Sequence, residues 1–173
     1  MRRKDRALSE QDAYKIIDEC VYAVINCVCE NGEILSLPLS VVRENSSIFV
    51  HGATSGAKSE YFKDERLCKI VAVSYAKVPE LSGEFFASIS GDSEKLGNYA
   101  FTSEYRSAIA TARAHLVTDE KRKIHALRLL SEKYCAKYMS AFESAIKGDV
   151  MKHMNIYEFK ITELSAKAKV VEF

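Results

Sequence analysis

The segment Val50-His51-Gly52-Ala53-Thr54-Ser55-Gly56-Ala57-Lys58-Ser59 sets small residues and one lysine directly after an apolar run. Gly, Ala, Ser and Thr let main-chain N–H groups come close to an anion, and a helix starting just after them would aim its positive end at the same point. Lys58 would add a full charge, so the chemistry this spacing offers is the holding of a phosphate. The nucleoside-triphosphate loop needs Gly, four residues, then Gly-Lys-Ser/Thr, and the segment misses it twice. Three residues separate Gly52 from Gly56, and Ala57 stands before Lys58. The lysine is thereby turned about 100° around a helix start, and no later hydrophobic run ending in Asp is there to hold magnesium. A strand-turn-helix corner without a ligand stays open as the alternative.

These residues need elements to position them. Ser9 reads as a cap for a helix with Ala13, Ile16, Ile17 and Cys20 on one face. Val21 to Cys29 and Ile34 to Val42 read as a hairpin around Glu30-Asn31-Gly32-Glu33, and Arg43-Glu44-Asn45-Ser46 turns the chain into Ser47 to His51, giving an antiparallel meander. A short helix over 55–63 and an apolar strand from Cys68 to Tyr75 follow. Residues 77–104 read as a long excursion with one strand. Tyr105 to Val117 is a long strand, and Thr118-Asp119 caps a helix with Ile124, Leu127, Leu130 and Tyr134 at core spacing. A second helical segment ends at Gly148, Ile156 to Leu164 alternates as a strand, and Lys167 to Phe173 closes the chain. The pattern predicts an α+β fold, a closed or nearly closed antiparallel barrel with peripheral helices.

Length and 47% hydrophobic content point to one domain over residues 1–173. With 25 basic and 24 acidic side chains the formal charge is +1, which gives no broad footprint for nucleic acid or an anionic membrane. The basic start does not lead into an apolar signal core, and no segment reads as membrane-spanning. Cysteines at 20, 27, 29, 68 and 135 are scattered through apolar runs, as reduced thiols of a cytoplasmic protein would be. Cys27 and Cys29 share a strand face, but no second close-spaced Cys or His pair accompanies them, so no metal site is expected.

In four segments the chain resembles the pyridoxamine-phosphate-oxidase-like flavin-binding split barrels, and within them the nitroimidazole-resistance (Nim) reductase group. They are Arg2-Arg3-Lys4-Asp5-Arg6, Pro38-Leu39-Ser40, His51-Gly52-Ala53 with Gly56-x-Lys58, and Tyr105-Arg106-Ser107 followed later by Asp119-Glu120-Lys121. The resemblance covers residue 2 to about residue 130, and its most specific part is the His-Gly-Ala plus Gly-x-Lys pair. One departure is Ala112, where the family usually carries Gly. No site is carried over from the last forty residues.

The resemblance implies a homodimer with FMN, or FAD, at the interface. Lys58 would be the phosphate cation; His51, Gly52, Ala53 and Gly56 would line the phosphate and ribityl region. Pro38, Leu39 and Ser40 would lie against the ring, and Tyr105, Arg106 and Ser107 would contact the flavin from the later strand. His51 would touch a ligand or serve as an acid or base; His115, His125 and His153 carry no such context. The implied activity is a flavin-dependent reduction of a nitroaromatic or similar electrophile, with reduced nicotinamide as a visiting donor, since no Gly-x-Gly-x-x-Gly site is present. Oxidation of pyridoxamine phosphate and a non-catalytic flavin carrier or sensor are the alternatives.

Overall fold

The computed structural model describes residues 3–171; Arg2 of the N-terminal signature and Glu172-Phe173 of the closing segment lie outside that range. Ser9 accepts a hydrogen bond from the Asp12 N–H at 3.1 Å, and the Asp12 carboxylate accepts from the Ser9 N–H in return. This capping box opens α1 (Glu10–Glu19), which turns Ala13, Ile16 and Ile17 inward.

Strands β1 (Ala23–Val28), β2 (Ile34–Leu39), β3 (Val42–Glu44) and β4 (Ser47–Ala53) follow, then the five-residue α2 (Ala57–Tyr61) and β5 (Arg66–Lys77). The predicted second strand is two strands. β2 pairs with β1 and β3 pairs with β4, so the expected meander is broken at Ser40-Val41. The physical reason lies in α5 (Glu120–Cys135), whose side chains fix that break. Tyr134 Oη accepts from the Val41 N–H and donates to the Val41 carbonyl, both at 2.9 Å, and Lys133 Nζ donates to the same carbonyl at 2.9 Å. Backbone groups that a continuous ladder would have used are bound by side chains instead.

The excursion from 78 to 103 contains no strand among its residues. It holds α3 (Gly83–Ile89), the single turn α4 (Ser93–Lys95) and a π-helical turn Leu96–Ala100. Ser82 and Asp92 cap the two helices, and Phe85 and Ile89 stand four apart, a helical spacing masked by the flanking glycines. β6 (Glu104–Leu116) and α5 stand close to expectation. After α5 the chain runs through a 3-10 segment (Ala136–Ala141), α6 (Phe142–Ala145) and a second 3-10 segment (Gly148–His153) into β7 (Met154–Lys169).

One antiparallel sheet takes the strands in the order β2-β1-β5-β6-β7-β4-β3. Its two end strands are joined by Ser40-Val41 alone, so the sheet must curl until its edges nearly meet. This is an α+β split barrel. The interior is built from rows read across the strands: Leu39, Ala23, Ala72, Ala108 and Ala166, then Leu37, Ile25, Ile70, Ala110 and Leu164. Small residues on β6 leave room for α1, which packs against β5, β6 and β7. Ala112 belongs to this interior, fully buried opposite Cys68, so its methyl fills core space. Cys27 stands opposite Cys68 on the same inner face, and burial pushes the Cys68 thiol up to about 12. These are inert packing thiols. A smaller core between the sheet and α5 gathers Phe49, Leu127, Leu130, Phe142 and Ile156.

Candidate functional site

Along β4, Ile48 and Val50 point into the barrel, while Phe49 and His51 share the opposite face. Phe49 is covered by the Arg122 guanidinium of α5, 4.9 Å from the ring centroid. His51, two residues further, projects past that cover, open to solvent on one side and with its ring half-enclosed by the protein around it. The chain then turns through Thr54 and Ser55 to Gly56, at φ 92° and ψ −176°, a conformation open to glycine alone. α2 is too short for a strong macrodipole, which is less than the sequence promised. Its end is fixed by Phe62, fully buried and edge-on to Tyr157 and Phe159 at 5.7 and 5.1 Å.

That anchor aims Lys58 back over the strand. Its Nζ lies 3.5 Å from the His51 carbonyl oxygen. A Cβ on Gly52 would stand 2.6 Å from Lys58 Cε and 2.9 Å from Nζ, so glycine at 52 is what leaves space for the lysine stem. The ammonium reaches a cavity of about 620 Å³ lined by His51, Gly52, Ala53, Lys58, Asp149, Val150, His153 and Met154. Burial against this wall, and then the nearby Lys58 charge, hold the His51 pKa below the ordinary imidazole value, leaving the ring neutral at pH 7. One weak carbonyl contact leaves most of the donor capacity of Lys58 free for an anion. The donor set fits a flavin phosphate, with a neutral imidazole beside it.

Four residues of this wall, Asp149, Val150, His153 and Met154, escaped the sequence reading. His153 and Asp149 come from the 3-10 segment before β7, and they reach the cavity because β7 pairs with β4 in a register that sets Met154 opposite Ala53. Asp149 is engaged by Lys152 at 2.6 Å, while His153 faces the cavity from the wall across from β4. Nothing in the spacing of 148–153 announces this; the signal would have been the strand pairing itself.

The other expected residues fall into two groups. Pro38 and Leu39 lie on β2 opposite Val24 and Ala23 of β1, and the β3–β4 ladder stops at the Val42–Phe49 pair, so among the described residues no strand pairing joins Pro38-Leu39-Ser40 to the His51-Gly52 segment. Tyr105, Arg106 and Ser107 do not join that segment within one chain. His51 is level with Ile156 on β7 and Arg106 is level with Ala168, a path of about 40 Å along the strand. There Arg6 Nη1 lies 3.4 Å from Tyr105 Oη, and Arg106 borders a cleft with Asp12, Lys15 and Glu19 of α1. Asp119 of the last matched segment caps α5 by accepting from the Arg122 N–H at 2.8 Å.

Residues 9–168 match the sequence model of the pyridoxamine 5'-phosphate oxidase family. The chain belongs to that family. No curated protein matches it, but solved structures do. The flavocytochrome Anf3 from Azotobacter vinelandii superposes with a TM-score of 0.70 at 17% identity, over 98% of this chain and 72% of that one. A candidate 5-nitroimidazole antibiotic resistance protein from Bacteroides thetaiotaomicron gives 0.67 at 14%, over 94% and 86%. A FAD and haem binding protein from Mycobacterium smegmatis gives 0.67 at 14%, over 93% and 71%. At these identities the likeness is one of fold. This pyridoxamine 5'-phosphate oxidase family member has, among its described residues, no helix long and apolar enough to cross a membrane.

Proposed function

We propose that this family member is a flavin-dependent oxidoreductase that binds FMN, or FAD, through Lys58 and the 51–58 loop and reduces nitroaromatic or related electrophilic small molecules with reduced nicotinamide as donor. The observation that carries the reading is the Lys58 ammonium folded over Gly52 at the wall of the 620 Å³ cavity. Family membership supports it, as do the flavin named for the Mycobacterium smegmatis protein and the resistance role named for the Bacteroides one.

A bound flavin supplies reversible uptake of two electrons. The chain's own residues bind and orient: Lys58 neutralises the phosphate, and Gly52, Ala53 and Gly56 allow close approach of the backbone. Pro38, Leu39 and Ser40 flank the ring side. Neutral His51, with His153 across the cavity, donates a hydrogen bond from its ring N–H to the substrate head.

The same reading makes the protein a homodimer. Val21, Tyr22, Val73 and Ile109 are exposed apolar residues around β1, β5 and β6, and contiguous apolar area of that kind favours a partner. A second chain would also bring Tyr105, Arg106 and Ser107 to a flavin that they cannot reach in their own chain. Free cysteines among the described residues suit a cytoplasmic setting.

The test is the absorbance spectrum of purified protein, release of its chromophore, and affinities for FMN and riboflavin in wild type and Lys58→Ala. Loss of one charge-assisted phosphate contact should weaken FMN by roughly 10- to 150-fold and leave riboflavin unchanged. Turnover of a nitroimidazole with reduced nicotinamide completes the case. Colourless protein that refuses added flavin overturns it, and a flavoprotein inert toward every donor and nitro compound limits it to a carrier.

A further inference from the structure

The apolar wall of the Lys58 cavity continues beyond it. Val150 and Met154 also bound a second cavity, of about 200 Å³, closed on its other side by Leu127, Phe142, Ile146 and Met151. Ser131, Phe142 and Ala145 in turn bound a third, of about 260 Å³, opening between Cys135, Tyr138 and Met139. The three cavities lie in series, each sharing wall residues with the next, from Lys58 past the 148–153 segment to the far end of α5.

The chemistry changes along this track of cavities. Past Met154, among the described residues, no Asp, Glu, Lys, Arg or His lines the second and third cavities, although α5 is rich in charge. Leu127, Ser131 and Cys135 present one stripe, four residues apart. The charges of α5 are drawn off it: Arg122 to Glu158, Arg128 to Glu143, and Lys133 to the Val41 carbonyl. Three methionines, Met139, Met151 and Met154, supply adaptable walls.

We infer that the track holds the apolar tail of the molecule reduced at the cavity, so that the substrate is amphipathic: a polar, electron-accepting head beside His51 and His153, and a hydrocarbon extension over Val150 and Met154. The head's position rests on the flavin reading above; the tail site rests on the shared walls. Those shared walls favour a tail over a separate partner, because an occupant of the second cavity touches the same Val150 and Met154 as a head seated beside His51 and His153.

The test uses 4-nitrophenyl alkyl ethers, methyl to hexyl, with affinity for the purified protein measured by calorimetry in the absence of donor. Each methylene should tighten binding by about fourfold until the groove is full. Met151→Glu should flatten that dependence while leaving the methyl ether affinity and the flavin content as in wild type, and Ile146→Asp, half-buried and lining the second cavity alone, should do the same. Wild-type affinity that does not change with chain length overturns the tail site, as does a dependence that survives both substitutions. Colourless protein with a Met151-sensitive dependence would remove the flavin reading and keep the track.

Discussion

Lys58 occupies the space that a side chain at residue 52 would need: Cε of the lysine lies 2.6 Å from where a Gly52 Cβ would stand. The clash falls on the far end of a flexible chain. Gly52→Ala should therefore swing the ammonium out of the cavity while leaving the fold intact. Stability should stay within about 0.5 kcal/mol of wild type, and FMN affinity should fall by roughly 10- to 150-fold, as for Lys58→Ala. Urea denaturation beside flavin titration separates the two effects; unchanged affinity would mean that the lysine finds the phosphate by another route.

Gly56 should behave the other way round. Its φ of 92° with ψ −176° is strained for any L side chain, and no neighbour crowds its Cβ position. Gly56→Ala should cost about 1–3 kcal/mol in the same denaturation experiment, as a backbone effect with no steric part. A stability equal to wild type would show that the loop relaxes to another turn.

His51 gives a pH signature. Its folded pKa lies below that of the unfolded chain, through burial first and Lys58 second. Between the two values the unfolded state binds more protons, so stability rises with pH across that window and His51 withdraws stability as pH falls through it. NMR titration should give a His51 pKa below 6.5. In Lys58→Ala it should move upward and still stay below that of an exposed histidine, because burial remains. A downward move would contradict the arrangement.

Glu158 is 7% exposed on β7. Burial pushes its carboxyl up, but hydrogen bonds from Arg122 at 2.7 Å and Ser47 at 2.7 Å outweigh it and hold the pKa below the carboxylate norm. The stability this contributes is present above the unfolded pKa and is lost as pH falls through the lower folded one. Arg122→Met leaves a buried, poorly paired carboxylate and should cost about 2–4 kcal/mol at pH 7. The penalty should shrink below the unfolded carboxylate pKa, where Glu158 can protonate; thermal unfolding at pH 7 and pH 4 measures it.

The elements set by local pattern were legible in the sequence. Ser9 and Asp119 announced α1 and α5, and the Lys58 loop was readable because glycines, a lysine and an apolar strand lie within ten residues. The break at Ser40-Val41 was not, because it depends on Tyr134 and Lys133 arriving from α5. Nor were the helices of the 78–103 excursion, whose glycines and proline outweighed the Phe85–Ile89 spacing. His153 stayed hidden for a third reason: only the β4–β7 pairing brings it near His51.

That pairing also orders the life of the chain. β4 emerges early in synthesis, yet Val50 must wait for Tyr157 and His51 for Ile156 before their strand gains its second neighbour. Until the last strand slides between β6 and β4, the 51–58 loop hangs from a hairpin of two strands, too little to be stable alone. In the function proposed above, cofactor capture would thus wait for the end of translation: a chain cut short before β7 would carry every residue of the Lys58 loop without the wall that β7 brings to it.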